Sequence, residues 1–158
     1  MTTRSEKVKI FTEESMGVTL PTHPRKMTRE EVAFVVKMNC EELMELLLTV
    51  DDDPKEALKA IVEKANLPGR PRPQTDTEII AEQVDAFVDI DYYNCNASCK
   101  AGFNPDAIFD VVHQANMSKK FEDGTFHKNE IGKVIKPPTW KEPNITGIVE
   151  GWVTNGSW

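Results

Sequence analysis

Glu82, Asp85 and Asp89 stand four, seven and eleven residues after Glu78. At about 100° per residue, those offsets place four carboxylates in one narrow stripe of an α-helix. No lysine or arginine lies between Glu78 and Asp91 to offset them. Like charges one turn apart cost about 0.2–0.5 kcal/mol per pair even in water, and far more if buried without neutralisation. An earlier segment repeats the theme. Glu41, Glu42 and Glu45 are three and four apart and share a helix face. Both sets have apolar flanks: Leu43, Met44, Leu46, Leu47 and Leu48 in one, Val84, Phe87, Val88 and Ile90 in the other. Two readings follow. Either both stripes are solvated helix faces, or the helices are buried in a bundle with carboxylates inward. In the second case, facing carboxylates hold hard divalent cations through oxygen. With no His in either stripe, the ligand set favours Mg²⁺ or Mn²⁺ over zinc or iron.

The surrounding pattern is helical. Thr28 followed by Glu31 is a capping box, and opens a helix predicted over residues 29–50 with Val32, Val35, Val36, Leu43, Leu46, Leu47 and Val50 at helical spacing. Asp53-Pro54 caps a short second helix. Residues 68–73 are a Pro- and Gly-rich loop, a solvated linker or a phosphate contact through Arg70 and Arg72. Thr75 to Glu78 opens a long third helix with Gly102 as its stop, and Asn104-Pro105 opens a fourth. Val8, Ile10 and Phe11 fit a short helix or docking segment. Residues 133–136 fit a short strand, and residues from Pro137 onward an extended arm. The expected fold class is mostly α: a four-helix-type bundle with a small C-terminal irregular or hairpin segment.

Composition narrows the function classes. The chain has 158 residues, 39% hydrophobic and 28% charged, which suits one soluble domain. A net charge of −7 argues against broad binding of nucleic acid polymers or anionic membranes. No run approaches the roughly 20 apolar residues of a membrane span, and the first thirty residues lack an apolar signal core, so a cytoplasmic protein is expected. Cys40, Cys95 and Cys99 show no metal spacing with His; Cys95 and Cys99 read as core thiols on one helix face.

Glu-x-x-Glu on one helix followed by Glu-x-x-Asp on a later one resembles the all-α nucleoside triphosphate pyrophosphohydrolases. These are the MazG-like proteins, the dimeric dUTPase-like enzymes and phosphoribosyl-ATP pyrophosphohydrolase. Here the motif reads Glu41-Glu42-Leu43-Met44-Glu45 and Glu82-Gln83-Val84-Asp85. The stretch from Val112 through Asn116-Met117-Ser118-Lys119, and Gly132-Lys133-Val134-Ile135-Lys136-Pro137-Pro138, resembles the C-terminal part of MazG-like members. The likeness covers residues 7–145 and implies a domain over residues 1–145 with a tail at 146–158. It implies that Glu42, Glu45, Glu82 and Asp85 bind Mg²⁺, with Mn²⁺ as a substitute. Glu41 would be a metal-contacting or water-activating carboxylate, and Glu41 or Glu45 would take the water's proton. Asp89 departs from the family's pattern and leaves two registers open, Glu82 with Asp85 or Asp85 with Asp89; it is an extra ligand or a nucleotide contact. Asp91 lies off the stripe.

The activity this implies is Mg²⁺-dependent hydrolysis of a (d)NTP to the monophosphate and pyrophosphate. The alternatives are phosphoribosyl-ATP pyrophosphohydrolase and a helical interaction module without catalysis. Asn116 and Lys119 are the expected contacts to outer phosphates or sugar, and Lys37, one turn before Glu41, is a further candidate. His113 reads as a partly buried structural residue, and Tyr92 and Tyr93 as core packing rather than base contacts. Thin amphipathic helices, together with the resemblance, imply a homodimer or homotetramer, with an arm carrying Trp140, Trp152 and Trp158 across the partner.

Overall fold

The computed structural model describes residues 2–66, 69 and 71–156. Among these residues there are six helices: α1 (Arg4–Met16), α2 (Arg29–Leu48), α3 (Pro54–Lys64), α4 (Asp76–Lys100), α5 (Pro105–Met117) and α6 (Ile145–Asn155). The only extended pairing described is two isolated antiparallel bridges, Lys120 with Phe126 and Lys128 with Val134. The fold class is therefore mostly α, as expected. No described helix is long and apolar enough to cross a membrane.

The helix starts follow their caps. At Thr3 and Thr28 the hydroxyl accepts from the backbone three residues on, while Glu6 and Glu31 return the bond to the cap's own N–H. Asp53 caps α3 with Pro54 at its first position, and Asn104 caps α5 ahead of Pro105. α4 ends at Gly102, whose φ of 75° is left-handed. Gly102 N–H donates to the Cys99 carbonyl at 3.1 Å and Phe103 N–H to that of Ser98 at 2.8 Å, the two bonds of a Schellman stop.

Two stretches differ from the sequence reading. Residues 145–155, expected in an extended arm, form α6. The Asn144 side chain accepts from Gly147 N–H and Gly156 closes the end at φ 69°. The Pro, Gly and Thr content of the region masks this cap and the helical spacing of Ile145, Ile148, Val149, Trp152 and Val153. Residues 133–136 make one bridge instead of a strand, because tight turns on either side leave no partner of strand length.

The chain divides into two compact units. The central unit is residues 23–88; the terminal unit is residues 1–22 with 89–158. In the central unit α2 packs on α3. The Gln83 side chain on α4 clamps Met27, accepting from its N–H at 2.9 Å and donating to its carbonyl at 3.3 Å. Lys26 pairs with Asp76 at 2.7 Å, and Arg25 grips Glu31 through two bonds of 2.8 and 2.5 Å. In the terminal unit α1 packs on α5. Ion pairs Lys7–Asp110 and Arg4–Asp106 join them, and Arg4 lies 5.0 Å from the Phe109 ring centre. Phe11 meets Phe126 edge to face at 5.5 Å, which docks the turn after α5 on α1.

Neither unit closes a core of its own among the described residues. Only Ser15 and Pro137 are buried, and no Leu, Ile, Val, Phe, Met or Trp is. One of the two sequence readings put the apolar flanks of the acidic stripes inside a bundle. Instead Leu46 is 64% exposed, Val84 56% and Val88 60%. The helices form by capping and spacing as the sequence dictates, but among the described residues these faces stay largely uncovered. Cys99 is exposed and Cys95 half-buried, so these thiols are not core residues either.

Candidate active site

The expected metal ligands and catalytic acids Glu41, Glu42, Glu45, Glu82 and Asp85 all belong to the central unit, the first three on α2 and the others on α4. Asp89 continues the α4 stripe in the terminal unit. Glu42, Glu45, Glu82, Asp85 and Asp89 are exposed and Glu41 is half-buried. Gln83 turns toward Met27, so the α4 side carrying the clamp faces protein, while the Glu82–Asp85–Asp89 stripe lies more than 90° round the helix. Lys37 stands 3.9 Å from Glu41, one turn apart on the same face.

Glu78 has a separate task. Its carboxylate accepts from the backbone N–H of Thr75 and Gln74, both at 2.9 Å, and its own N–H donates to the Thr75 hydroxyl at 3.2 Å. These bonds hold its carboxyl below the ordinary range, the Thr75 backbone bond foremost. The first member of the stripe is therefore consumed as a helix cap. Among the described residues no three of His, Cys, Asp and Glu converge closely enough to hold a metal ion within the single chain.

The other candidates lie in the terminal unit. Lys119 Nζ donates to Asn116 Oδ1 at 2.7 Å, so these two expected substrate contacts form one group at the end of α5. Burial, and then the positive charges of Lys136 and Lys133, push the Lys119 ammonium below its ordinary pKa. Sequence reasoning missed Trp140 here. Its Nε1–H donates to the Ala115 carbonyl at 2.7 Å, and its ring receives Lys119 at 5.6 Å and Lys136 at 4.2 Å. The spacing of 119, 136 and 140 carries no helical or strand period, so only the folded turn reveals the group.

His113 is half-buried and stacked on Phe109 at 6.3 Å, the structural role expected of it. Tyr92 and Tyr93, about two helix turns past Asp85, are 71% and 70% exposed and are not core residues. Of the loop arginines, Arg72 is exposed and Arg70 lies outside the described residues, as does Trp158 of the expected arm.

The sequence profile of the family "Phosphoribosyl-ATP pyrophosphohydrolase" matches residues 12–116, two thirds of the chain, including every motif acid on α2 and α4. The chain belongs to this family. It is thus a hydrolase of pyrophosphate bonds in the all-α, MazG-like class. A crystal structure of a candidate NTP pyrophosphohydrolase from Exiguobacterium sp. 255-15 is similar throughout. Its TM-score is 0.74 at 25% identity, over 97% of this chain and 95% of that one. No curated protein is similar enough to count as a match.

Proposed function

We propose that this pyrophosphohydrolase takes a nucleoside triphosphate or deoxynucleoside triphosphate, requires Mg²⁺ or Mn²⁺, and releases the monophosphate and pyrophosphate. The observation that carries the reading is the placement of Glu41, Glu42 and Glu45 on α2 and Glu82 and Asp85 on α4, within one unit of a chain that belongs to a pyrophosphohydrolase family. The donor set fits a hard divalent cation, since it offers carboxylate oxygens and neither His nor Cys. Glu42, Glu45, Glu82 and Asp85 would hold it, with Asp89 as a further ligand or nucleotide contact. When bound, Mg²⁺ offsets the charge of carboxylates and triphosphate and makes water a better nucleophile.

The chain's own residues supply the rest. Glu41 or Glu45 accepts the proton of the attacking water. A new oxygen–phosphorus bond forms at the α-phosphorus as its bond to the bridging oxygen breaks, and pyrophosphate leaves with that oxygen. Asn116 and Lys119 bind phosphate or sugar, and Lys37, within α2, is a further candidate.

The protein works as a homodimer or homotetramer in this reading. Support comes from the exposed apolar faces of α2 and α4, because large exposed apolar surfaces rimmed by polar groups mark association sites. A second copy would cover Leu46, Val84 and Val88 and draw the acidic stripes out of bulk water.

The second reading, phosphoribosyl-ATP as substrate, is favoured by the name of the matching family. A panel of NTPs, dNTPs and phosphoribosyl-ATP with Mg²⁺, read as pyrophosphate release, separates the two. Turnover of at least one triphosphate is expected. Turnover of phosphoribosyl-ATP alone would establish the second reading, and turnover of none would refute both.

A further inference from the structure

We propose that Gln83 is a positioning residue for the hydrolysis: by holding the chain that leads into α2, it sets the direction in which Glu82 and Asp85 leave α4. The inference rests on the proposed metal-dependent reaction. It adds to that reaction an uncharged residue that acts through the acids beside it.

Both bonds of the Gln83 clamp go to the backbone of one residue. Oε1 accepts from Met27 N–H at 2.9 Å, and Nε2 donates to the Met27 carbonyl at 3.3 Å. A primary amide carries an acceptor and two donors on one planar group. It can therefore satisfy both polar groups of a backbone residue, and its own rotation is fixed when it does. Met27 stands just before Thr28, the cap of α2. The α2 ladder opens with Val32 N–H on the Thr28 carbonyl at 3.1 Å, one residue beyond Met27.

A second attachment lies on the same face of α4. Asp76, seven residues before Gln83, pairs with Lys26 at 2.7 Å. At about 100° per residue the two α4 positions differ by roughly 20° and stand about 10 Å apart along the axis. Lys26 and Met27 are thus held at two heights on one face, which opposes rotation of the helix about its own axis. Burial marks that face too. Ile79, Ile80 and Gln83 are half-buried, and the other α4 residues of the central unit are exposed. Glu82 and Asp85 lie roughly 100° and 160° from Gln83, in the same sense round the helix. The clamp therefore fixes where these acids point relative to the chain entering α2, the helix that carries Glu41, Glu42 and Glu45. Lys26 and Asp76 are both exposed and screened by water, so Gln83 is the stronger hold. Rotation matters because metal–oxygen bonds are short. A turn of about 30° carries a carboxylate at the helix's outer radius of about 5–6 Å through about 3 Å, more than the roughly 2.1 Å of a Mg²⁺–oxygen bond.

The test compares the full-length wild type with Gln83→Met and Asn104→Ala, well below every melting midpoint. Methionine keeps the length and bulk of glutamine and loses the amide. Asn104→Ala removes the cap of α5 in the terminal unit and controls for lost stability alone. Hydrogen exchange at the Met27 amide reads the clamp itself and should be faster in Gln83→Met. With the best triphosphate substrate at saturating Mg²⁺, Gln83→Met should lower kcat by roughly tenfold to a hundredfold and leave KM within about twofold. Its affinity for Mn²⁺, read by electron paramagnetic resonance without nucleotide, should fall about tenfold. Asn104→Ala should melt lower yet keep the wild-type kcat and Mn²⁺ affinity.

A Met27 amide equally protected in wild type and Gln83→Met would overturn the clamp. Wild-type kcat and Mn²⁺ affinity in a Gln83→Met protein that has lost this protection would overturn the positioning role and leave the proposed reaction standing. An equal loss in Asn104→Ala would do the same, since stability alone would then account for it. Should Gln83→Met fail to fold, Lys26→Met removes only the exposed second attachment; it should lower kcat severalfold, and an unchanged kcat there would overturn the role. A wild-type protein that releases pyrophosphate from no triphosphate would sink the proposed reaction itself, and the positioning role with it.

Discussion

On α1 and α5 opposite charges meet across two packed helices. Lys7 pairs with Asp110, Arg4 with Asp106, and the Arg4 guanidinium also covers Phe109. On α2 and α4 acids gather on one face of each helix, with no basic residue anywhere from Glu78 to Asp91. The first arrangement spends charge on joining elements. The second sets several carboxylates along one face of each helix beside apolar residues, and like charges one turn apart repel. The contrast separates groups that join elements from groups that, in the proposed function, serve the chemistry. It also explains Glu78, which lies on the stripe yet belongs to the first class, because Thr75 and Gln74 use it as a cap.

The largest effects should come from the acidic side. Chelating divalent cations with EDTA is expected to abolish pyrophosphate release. Adding Mg²⁺ or Mn²⁺ should raise the thermal midpoint of the wild-type protein by mass action on the folded state. Glu45→Ala should lose that rise. A metal-insensitive midpoint in the wild type would place the α2 and α4 acids with the merely solvated charges.

Next in size is association. Leu46→Asp puts a charge on an apolar face that the single chain leaves open, and should weaken self-association by about 2–4 kcal/mol. Sedimentation would show the shift toward monomer. An unchanged stoichiometry would mean that this part of α2 is not the covered face.

Smaller effects sharpen the structural side. Two bonds from Arg25, with help from the Thr28 backbone, hold the Glu31 carboxyl down at about 2 against an ordinary 4.5. A depressed carboxylate stabilises the fold above its ordinary pKa and ceases to do so as the pH falls through the folded value. Glu31→Gln should therefore melt lower than wild type at neutral pH, and the gap should close between about pH 4.5 and 2. Least of all, Lys7→Ala should cost no more than about 1 kcal/mol in a melting experiment, since the Asp110 partner is 62% exposed and water screens the pair.

The legible parts of this protein are those written within a few residues. Thr28 with Glu31, Asp53 with Pro54, Thr75 with Glu78 and Asn104 with Pro105 announce four helices, and all four start there. α6 was hidden because its cap, Asn144, sits in a stretch whose Pro, Gly and Thr content reads as irregular chain. That the acids of α2 and α4 lie along two helices was legible by phase. What covers their apolar flanks was not, because periodicity says that a face is apolar and not which chain buries it. The Gln83 clamp on Met27 and the lysines around Trp140 depend on residues 56 and up to 21 positions apart, beyond any local period.

The central claim is that the acids of α2 and α4 are there for hydrolysis and not for the fold. The most direct measurement is pyrophosphate release at saturating Mg²⁺ by the double variant Glu42→Gln with Asp85→Asn, beside melting of the metal-free protein. The account predicts activity lower by orders of magnitude, with a midpoint unchanged or raised as like-charge repulsion is relieved. Full activity in the double variant would contradict it.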